Sequence, residues 1–165
     1  MNNSSLDAKL HKKVLANGLT IIIKPTHMIP EVDIQLWYNV GSKHERDSQR
    51  GMAHLIEHMI FKGTKNLFSE GDIDGIVRKL AGSANAFTSY DYTTYVFTLP
   101  SNAWDYALII LADCMQNARF DEQMLNSEFK AVIAELKMNR DSYQSLAIDG
   151  TGFAASSLSS PYNRL

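Results

Sequence analysis

The stretch Gly51–Thr64 reads GMAHLIEHMIFKGT, and it decides how this chain is interpreted. On a helix that turns about 100° per residue, His54 and His58 lie about 40° apart on successive turns. Glu57 lies about 60° to the other side of His54. Apolar residues fill the opposite arc: Met52, Leu55, Ile56, Met59 and Ile60. The stretch therefore predicts a helix with one core face and one face that presents two imidazoles and a carboxylate.

This polar face has the composition of a metal site. Two imidazoles one turn apart can both reach one Zn²⁺ at bond lengths of about 2.0–2.1 Å. A carboxylate beside them is placed to act as a general base toward water. The pattern H-x-x-E-H is short, however, and the same residues could form only the solvated face of an amphipathic helix. A catalytic zinc site also needs a third protein ligand, with the fourth position left to water.

A later segment offers that third ligand. Residues 121–140 are predicted to form a long helix, on which Glu128 and Glu135 lie two turns apart and about 20° from one another. Both border the apolar stripe of this helix, which is formed by Leu125, Phe129, Val132 and Leu136. Charged groups at such a border are costly unless they are paired or metal-bound. From the pattern alone, two solvated glutamates that lean away from the core are an equally good interpretation.

The remaining pattern predicts an α+β fold, with a mostly antiparallel sheet and helices packed on one face. Asn17-Gly18 between two apolar runs predicts a hairpin. Alternation over Val32–Val40 predicts a half-buried strand. Further elements are expected as strands at 84–88 and 92–99, and as helices from Ser69 to about Gly82, from Pro100 to about Ala118 and, weakly, over 143–157. Runs of strands and then helices, rather than alternation, favour this fold class.

Composition excludes several classes of function. The chain has 165 residues, is 45% hydrophobic and carries a net charge of −2. No basic patch indicates nucleic acid, and no apolar run is long enough to span a membrane. The single cysteine, Cys114, excludes an internal disulfide and is expected to be a buried, inert thiol. The N-terminus lacks an apolar signal sequence, so the expected location is the cytoplasm, or the periplasm or an organelle if a leader was removed.

Five blocks in order resemble one protein family. HLIEH is the inverted zinc motif H-x-x-E-H. GSKHE and the following GMAHLIEHMIFKGT are similar to the signature block of the family of pitrilysin, insulin-degrading enzyme and the mitochondrial processing peptidase. The other four blocks similar to this family are NGLTIII, AGSANAFTSYDYTTYVFTLP, EFKAVIAELKMNRD and SSPYNRL. The resemblance covers nearly the whole chain. It implies a zinc endopeptidase that hydrolyses extended peptides.

The resemblance also implies roles for individual residues. His54, His58 and Glu135 match the three ligands of one Zn²⁺ per chain, and the separation of Glu135 from His58 is close to the usual one in the family. Glu57 matches the general base. Glu128 matches a second glutamate that supports the ligands from behind.

A further block of the resemblance concerns substrate. Ser83–Thr88 resembles the edge strand to which an extended peptide adds through main-chain hydrogen bonds. Asn85, Ala86 and Phe87 are the expected substrate-binding residues. Taken by composition alone, the same stretch is a turn into a strand whose Phe87 belongs to the core.

The resemblance also sets expectations for the whole protein. Members of the family carry two related halves, so residues 1–165 are expected to form a single, incomplete N-terminal catalytic domain. A missing C-terminal half or a homologous partner subunit would complete it, together with the peptide substrate. The isolated chain is therefore expected to bind zinc but to hydrolyse peptides weakly or not at all.

Two other functions remain open. S-ribosylhomocysteine lyase shares the H-x-x-E-H helix but takes a cysteine as its third metal ligand, in a glycine-flanked turn. Cys114 lies in LADCMQN, which is a helical context without that turn. A non-catalytic scaffold subunit of a processing peptidase is the other alternative, although such subunits usually lack part of the motif.

Overall fold

Residues 9–140 are described by the computed structural model, and the weak helix expected at 143–157 lies outside them. The chain forms two compact units, which divide between Glu31 and Val32. Within the described residues, no helix is long and apolar enough to cross a bilayer.

The first unit is the hairpin that Asn17-Gly18 predicts. Strands β1 (His11–Val14) and β2 (Thr20–Ile23) pair antiparallel in a sheet of their own. Gly18 takes a positive φ of 87°, a conformation that costs glycine little. The side chain of Asn17 accepts a hydrogen bond from the backbone N–H of Leu19 at 3.1 Å. The turn chemistry of the sequence thus forms the turn directly.

The second unit contains a three-stranded sheet. It is built from β3 (Glu31–Tyr38), β4 (Ser83–Thr88) and β5 (Thr93–Pro100), in the order β3-β5-β4. Strands β4 and β5 pair antiparallel, so that Ala84 lies opposite Phe97. The two strands predicted at 84–88 and 92–99 are therefore confirmed to within a residue. In the part of the chain that the structure describes, β4 lies at an edge of this sheet.

Within residues 32–140, four α-helices accompany this sheet: α1 (Met52–Ile60), α2 (Asp72–Lys79), α3 (Trp104–Asn117) and α4 (Glu122–Arg140). The core forms where one face of the sheet meets helices. Central strand β5 contributes Tyr95, Phe97 and Leu99, and these pack in one cluster with α2 and α3 residues such as Ile73 and Ile110. The predicted α+β class, with helices packed on one face of the sheet, is confirmed.

Two helices begin later than the sequence predicts. Helix α2 does not start from Ser69, because Gly71 takes a left-handed φ of 84° and becomes the residue before the helix. The backbone N–H of Ser69 instead donates to the Asp72 carboxylate at 2.7 Å. Helix α3 starts at Trp104, since the N–H of Ala103 first closes a turn onto the carbonyl of Pro100 at 2.9 Å.

A side chain from the preceding loop fixes the start of α1. The Glu45 carboxylate accepts hydrogen bonds from the backbone N–H groups of Gly51 at 2.8 Å and of Ala53 at 2.7 Å. Free N–H groups at a helix start need such acceptors, and a negative charge there also complements the helix dipole. Gly51 itself has φ of 84°, which turns the chain into the helix. The loop thereby sets the position of the helix that carries both histidines.

We predict that Glu45→Ala lowers the free energy of unfolding by about 1 kcal/mol, within the usual range for a lost helix cap. Glu45→Gln keeps an acceptor oxygen and should lose less. Urea unfolding of the two variants beside the unmutated chain measures both changes. Equal stability of all three proteins would show that the carboxylate does not hold the helix start.

Candidate metal centre

The packing of α1 against α4 brings the three expected ligands together. Nε2 of His58 lies 3.2 Å from Nε2 of His54. Oε2 of Glu135 lies 3.4 Å from the His58 Nε2 atom and 3.7 Å from the His54 Nε2 atom. One nitrogen from each histidine and one carboxylate oxygen therefore surround a common centre, where the three residues could hold a metal ion.

These separations can be compared with those of a tetrahedral ion. Ligand atoms that bind one Zn²⁺ tetrahedrally at about 2.0–2.2 Å lie about 3.3–3.6 Å from each other. The observed separations of 3.2, 3.4 and 3.7 Å bracket that range. The donor set, two imidazoles and a carboxylate, is also one that catalytic zinc sites use. The residues present fit a zinc ion without rearrangement of either helix.

Glu128 stands behind one of the histidines. Its Oε2 atom lies 3.3 Å from Nδ1 of His58, on the side of the ring away from the three-donor cluster. A neutral imidazole that faces a carboxylate through Nδ1 carries its proton there, which leaves Nε2 with a lone pair. Carboxylates commonly orient metal-binding histidines in this way. The structure thus brings Glu128 to the position expected for a supporting glutamate.

Glu57 is buried, with 8% of its surface exposed, and it has a partner that the sequence did not indicate. The hydroxyl of Thr88, at the end of β4, donates to Oε2 of Glu57 at 2.6 Å. The same hydroxyl lies 3.4 Å from that of Thr93, which donates to the carbonyl of Val40 at 2.9 Å. Strand alternation could have found Thr88, because it shares a face with Ala84 and Ala86.

The expected substrate residues separate into two groups. Asn85 and Ala86 line a cleft of about 560 Å³ that also contains the three donors, Glu57 and Glu128. Phe87 does not line this cleft. It is 44% exposed, and its ring packs against those of Trp37 and Tyr92, with centroids 6.4 and 5.7 Å away. Alternation along β4 puts Phe87 on the face opposite to Ala86, away from the helices. Asn85 shares the face of Phe87, but its side chain folds back onto the strand, where Oδ1 accepts a hydrogen bond from the backbone N–H of Ala86.

The cysteine lies elsewhere. Cys114 is fully buried in the core cluster around β5 and α3. Burial, helped by the nearby Asp113 carboxylate, raises the pKa of its thiol to about 12. A thiol with such a pKa is protonated at neutral pH and is a poor metal ligand. The expectation of a buried thiol is confirmed, and Cys114 is not part of the metal centre.

Known proteins resemble this chain in sequence. Residues 20–159 match the family described as Insulinase (Peptidase family M16). The uncharacterized zinc protease YmxG of Bacillus subtilis is 35% identical over 133 residues, which cover 81% of this chain and 32% of that protein. The mitochondrial-processing peptidase subunit beta of Dictyostelium discoideum is 33% identical over 122 residues, which cover 73% of this chain and 26% of that protein. The chain thus spans about a third or less of the length of these relatives.

Solved structures also resemble this chain in fold. The crystal structure of a protease from Helicobacter pylori superposes with a TM-score of 0.85 at 30% identity, over 95% of this chain and 38% of that one. Pitrilysin superposes with a TM-score of 0.84 at 23% identity, over 96% of this chain and 17% of that one, and this likeness concerns the fold alone.

We predict that Thr88→Val lowers the free energy of unfolding by about 1–3 kcal/mol, because the buried Glu57 carboxylate loses its hydroxyl donor. Thr88→Ser keeps a hydroxyl and removes only a methyl group, so it serves as the matched control. Urea unfolding of both variants measures the difference between them. If the valine and serine variants unfold at the same denaturant concentration, the hydrogen bond to Glu57 contributes no stability.

Proposed function

Because the chain belongs to the insulinase family, peptidase family M16, we propose that it supplies the zinc centre of an endopeptidase. The observation that supports this most directly is the cluster of His54, His58 and Glu135, whose donor atoms have the spacing of a tetrahedral site. The zinc protease names of several relatives agree with it.

Bound zinc would supply a Lewis acid for the scissile carbonyl and would lower the pKa of water at the open fourth position. Glu57 is the proposed general base. Glu57 precedes His58 by one residue in the sequence, and both residues line the same cleft. The Thr88 hydroxyl donates a hydrogen bond to one of the two Glu57 oxygens. The other oxygen can take a proton from the attacking water and pass it to the nitrogen of the departing amine.

The proposed substrate is an extended peptide that adds to the edge of β4. Ala84 and Ala86 have small side chains, which let another backbone approach closely. The backbone N–H of Ala86 donates a hydrogen bond to the side-chain oxygen of Asn85 at 2.9 Å. A carbonyl of the bound peptide could replace that oxygen as the acceptor. Main-chain hydrogen bonds of this kind bind peptides with little dependence on sequence. Phe87 would then meet substrate side chains on the far face of the strand.

The whole protein is proposed to need more than this region. The chain spans about a third of its relatives, and a C-terminal half or a partner subunit would complete the enzyme. The lyase alternative has less support, since the thiol it would need as a ligand lies in the core. The isolated chain is accordingly proposed to bind zinc and to turn over peptides weakly or not at all.

We predict one zinc per chain, with a strong loss of affinity in Glu135→Gln, because an amide is a much weaker zinc ligand than a carboxylate. Elemental analysis after dialysis against a weak chelator measures the stoichiometry. Glu122→Gln, an exposed position at the start of the same helix, is the matched control and should keep its zinc. An unmutated chain that takes up no zinc when the metal is supplied would contradict the proposed function.

We further predict that Glu57→Gln keeps zinc but lowers kcat of the full-length protein by about 10²–10⁴-fold or more, as expected for a lost general base. Hydrolysis of a quenched fluorescent peptide, with zinc content measured on the same sample, separates the two effects. A variant that retains both zinc and turnover would remove Glu57 from the proposed mechanism.

A further inference from the structure

Glu128 is a buried carboxylate whose two oxygens have different partners. Only 7% of its surface is exposed. Its Oε2 atom faces Nδ1 of His58 at 3.3 Å, and its Oε1 atom faces Nζ of Lys62 at 2.8 Å. An ionised carboxylate away from water is costly unless both of its oxygens accept hydrogen bonds. The contacts with His58 and Lys62 therefore stabilise the Glu128 carboxylate jointly.

Lys62 reaches this position from the end of α1. It lies one helical turn beyond His58, and its backbone N–H donates to the carbonyl of Met59 at 3.1 Å, which continues the turn. Its ammonium also lies 3.6 Å from the Glu70 carboxylate. The hydrogen bond to Glu128 is the main reason why the pKa of Lys62 is raised above its ordinary value. Lys62 is therefore a cation at neutral pH.

The fixed Glu128 carboxylate in turn orients the imidazole of His58. A carboxylate fixed in one orientation accepts a hydrogen bond from the Nδ1–H group of the ring and so selects one tautomer. The lone pair on Nε2 then points toward the common centre, where Nε2 of His54 lies 3.2 Å away. If Glu128 were free to turn toward water, neither the tautomer nor the ring orientation would be fixed.

We propose that Lys62 is a positioning residue for the metal centre: its ammonium fixes the Glu128 carboxylate, and the carboxylate fixes His58 for metal binding. The importance of these two contacts for activity rests on the proposed function, since activity requires that His54, His58 and Glu135 bind a metal. Their effect on the tautomer of His58 requires no metal.

The charge of Lys62 and its positioning role predict opposite effects on the affinity for zinc. Lys62 places a positive charge close to a site for a divalent cation, and like charges repel. Removal of that charge would by itself tighten zinc binding. A positioning role predicts weaker binding, because the partners that orient metal-binding histidines typically contribute about 10–100-fold to metal affinity. The direction of the change therefore separates the two effects.

The experiment compares Lys62→Met, which keeps most of the side-chain length without the charge, with Lys62→Arg and Lys65→Met. Competition with a chromophoric chelator gives the Kd for zinc. We expect the Kd for zinc of Lys62→Met to be higher than that of the unmutated chain by roughly tenfold or more. Arginine should restore much of the affinity, because it can still donate a charge-assisted hydrogen bond to Glu128. Lys65→Met, at an exposed position in the following turn, is the control for loss of one positive charge and should bind as the unmutated chain does.

A double-mutant cycle tests whether Lys62 acts through Glu128. In a Glu128→Gln background, Lys62→Met should change the zinc Kd by much less than it does in the unmutated chain. A merely structural role for Lys62 would give the same change in both backgrounds. Equal changes, or unchanged or tighter zinc binding in the single variant Lys62→Met, would overturn the proposal.

A metal-free measurement keeps this inference distinct from the proposed function. The ¹⁵N chemical shifts of the His58 ring, recorded without metal at a pH where it is neutral, report the tautomer. We expect Nδ1–H in the unmutated chain and a mixture of tautomers in Lys62→Met. An unmutated chain that binds no zinc would contradict the proposed function alone. Identical His58 tautomers in both proteins would overturn the role of Lys62, whether or not zinc binds.

Discussion

The contact between α1 and α4 is the constraint on which the candidate site depends. These helices are far apart in sequence, and their contact buries the Glu128 carboxylate, of which only 7% of the surface is exposed. Buried polar groups must find partners or cost several kcal/mol each. His58 and Lys62 on one side and Glu128 on the other satisfy this requirement jointly. Once those groups are paired, Glu135 lies beside Nε2 of both histidines.

The sheet contributes to the same site through the alternation of β4. One face of this strand presents Ala84, Ala86 and Thr88 toward the helices, and Thr88 binds the carboxylate of Glu57. The edge of the same strand is where a peptide backbone is proposed to add. A single strand would therefore hold both the substrate and the general base. Strands of a folded domain are rigid enough to keep two such groups at a fixed separation, as catalysis requires.

Much of this arrangement could be predicted from residues alone, because local rules act over short distances. The turn at Asn17-Gly18 and the two-sided helix around His54 and His58 follow from backbone preference and periodicity. The pairing of α1 with α4 does not follow from periodicity, which places Glu128 and Glu135 on a border but leaves their partners open. Only the family resemblance named Glu135 as the third donor.

The helix starts and the supporting hydrogen bonds are harder to predict from the sequence. Ser69 has the right side chain for a cap, yet the left-handed turn at Gly71 moves the start of α2 beyond it. Alternation along β4 places Thr88 on the same face as Ala84 and Ala86, but it does not give the contact with Glu57, which is 31 positions away. Lys62 belongs to no motif, and its partner Glu128 is 66 positions away. Such contacts depend on how whole elements pack, and a single sequence does not contain that information in local form.

X-ray absorption at the zinc edge, on the chain loaded with one equivalent of zinc, tests the proposed centre most directly. It measures the elements bound to the metal and their distances without any need for turnover. The proposed centre predicts only nitrogen and oxygen neighbours at about 2.0–2.2 Å, with the scattering pattern of two imidazole rings. A sulfur neighbour at about 2.3 Å, or a spectrum of zinc bound by water alone, would contradict it.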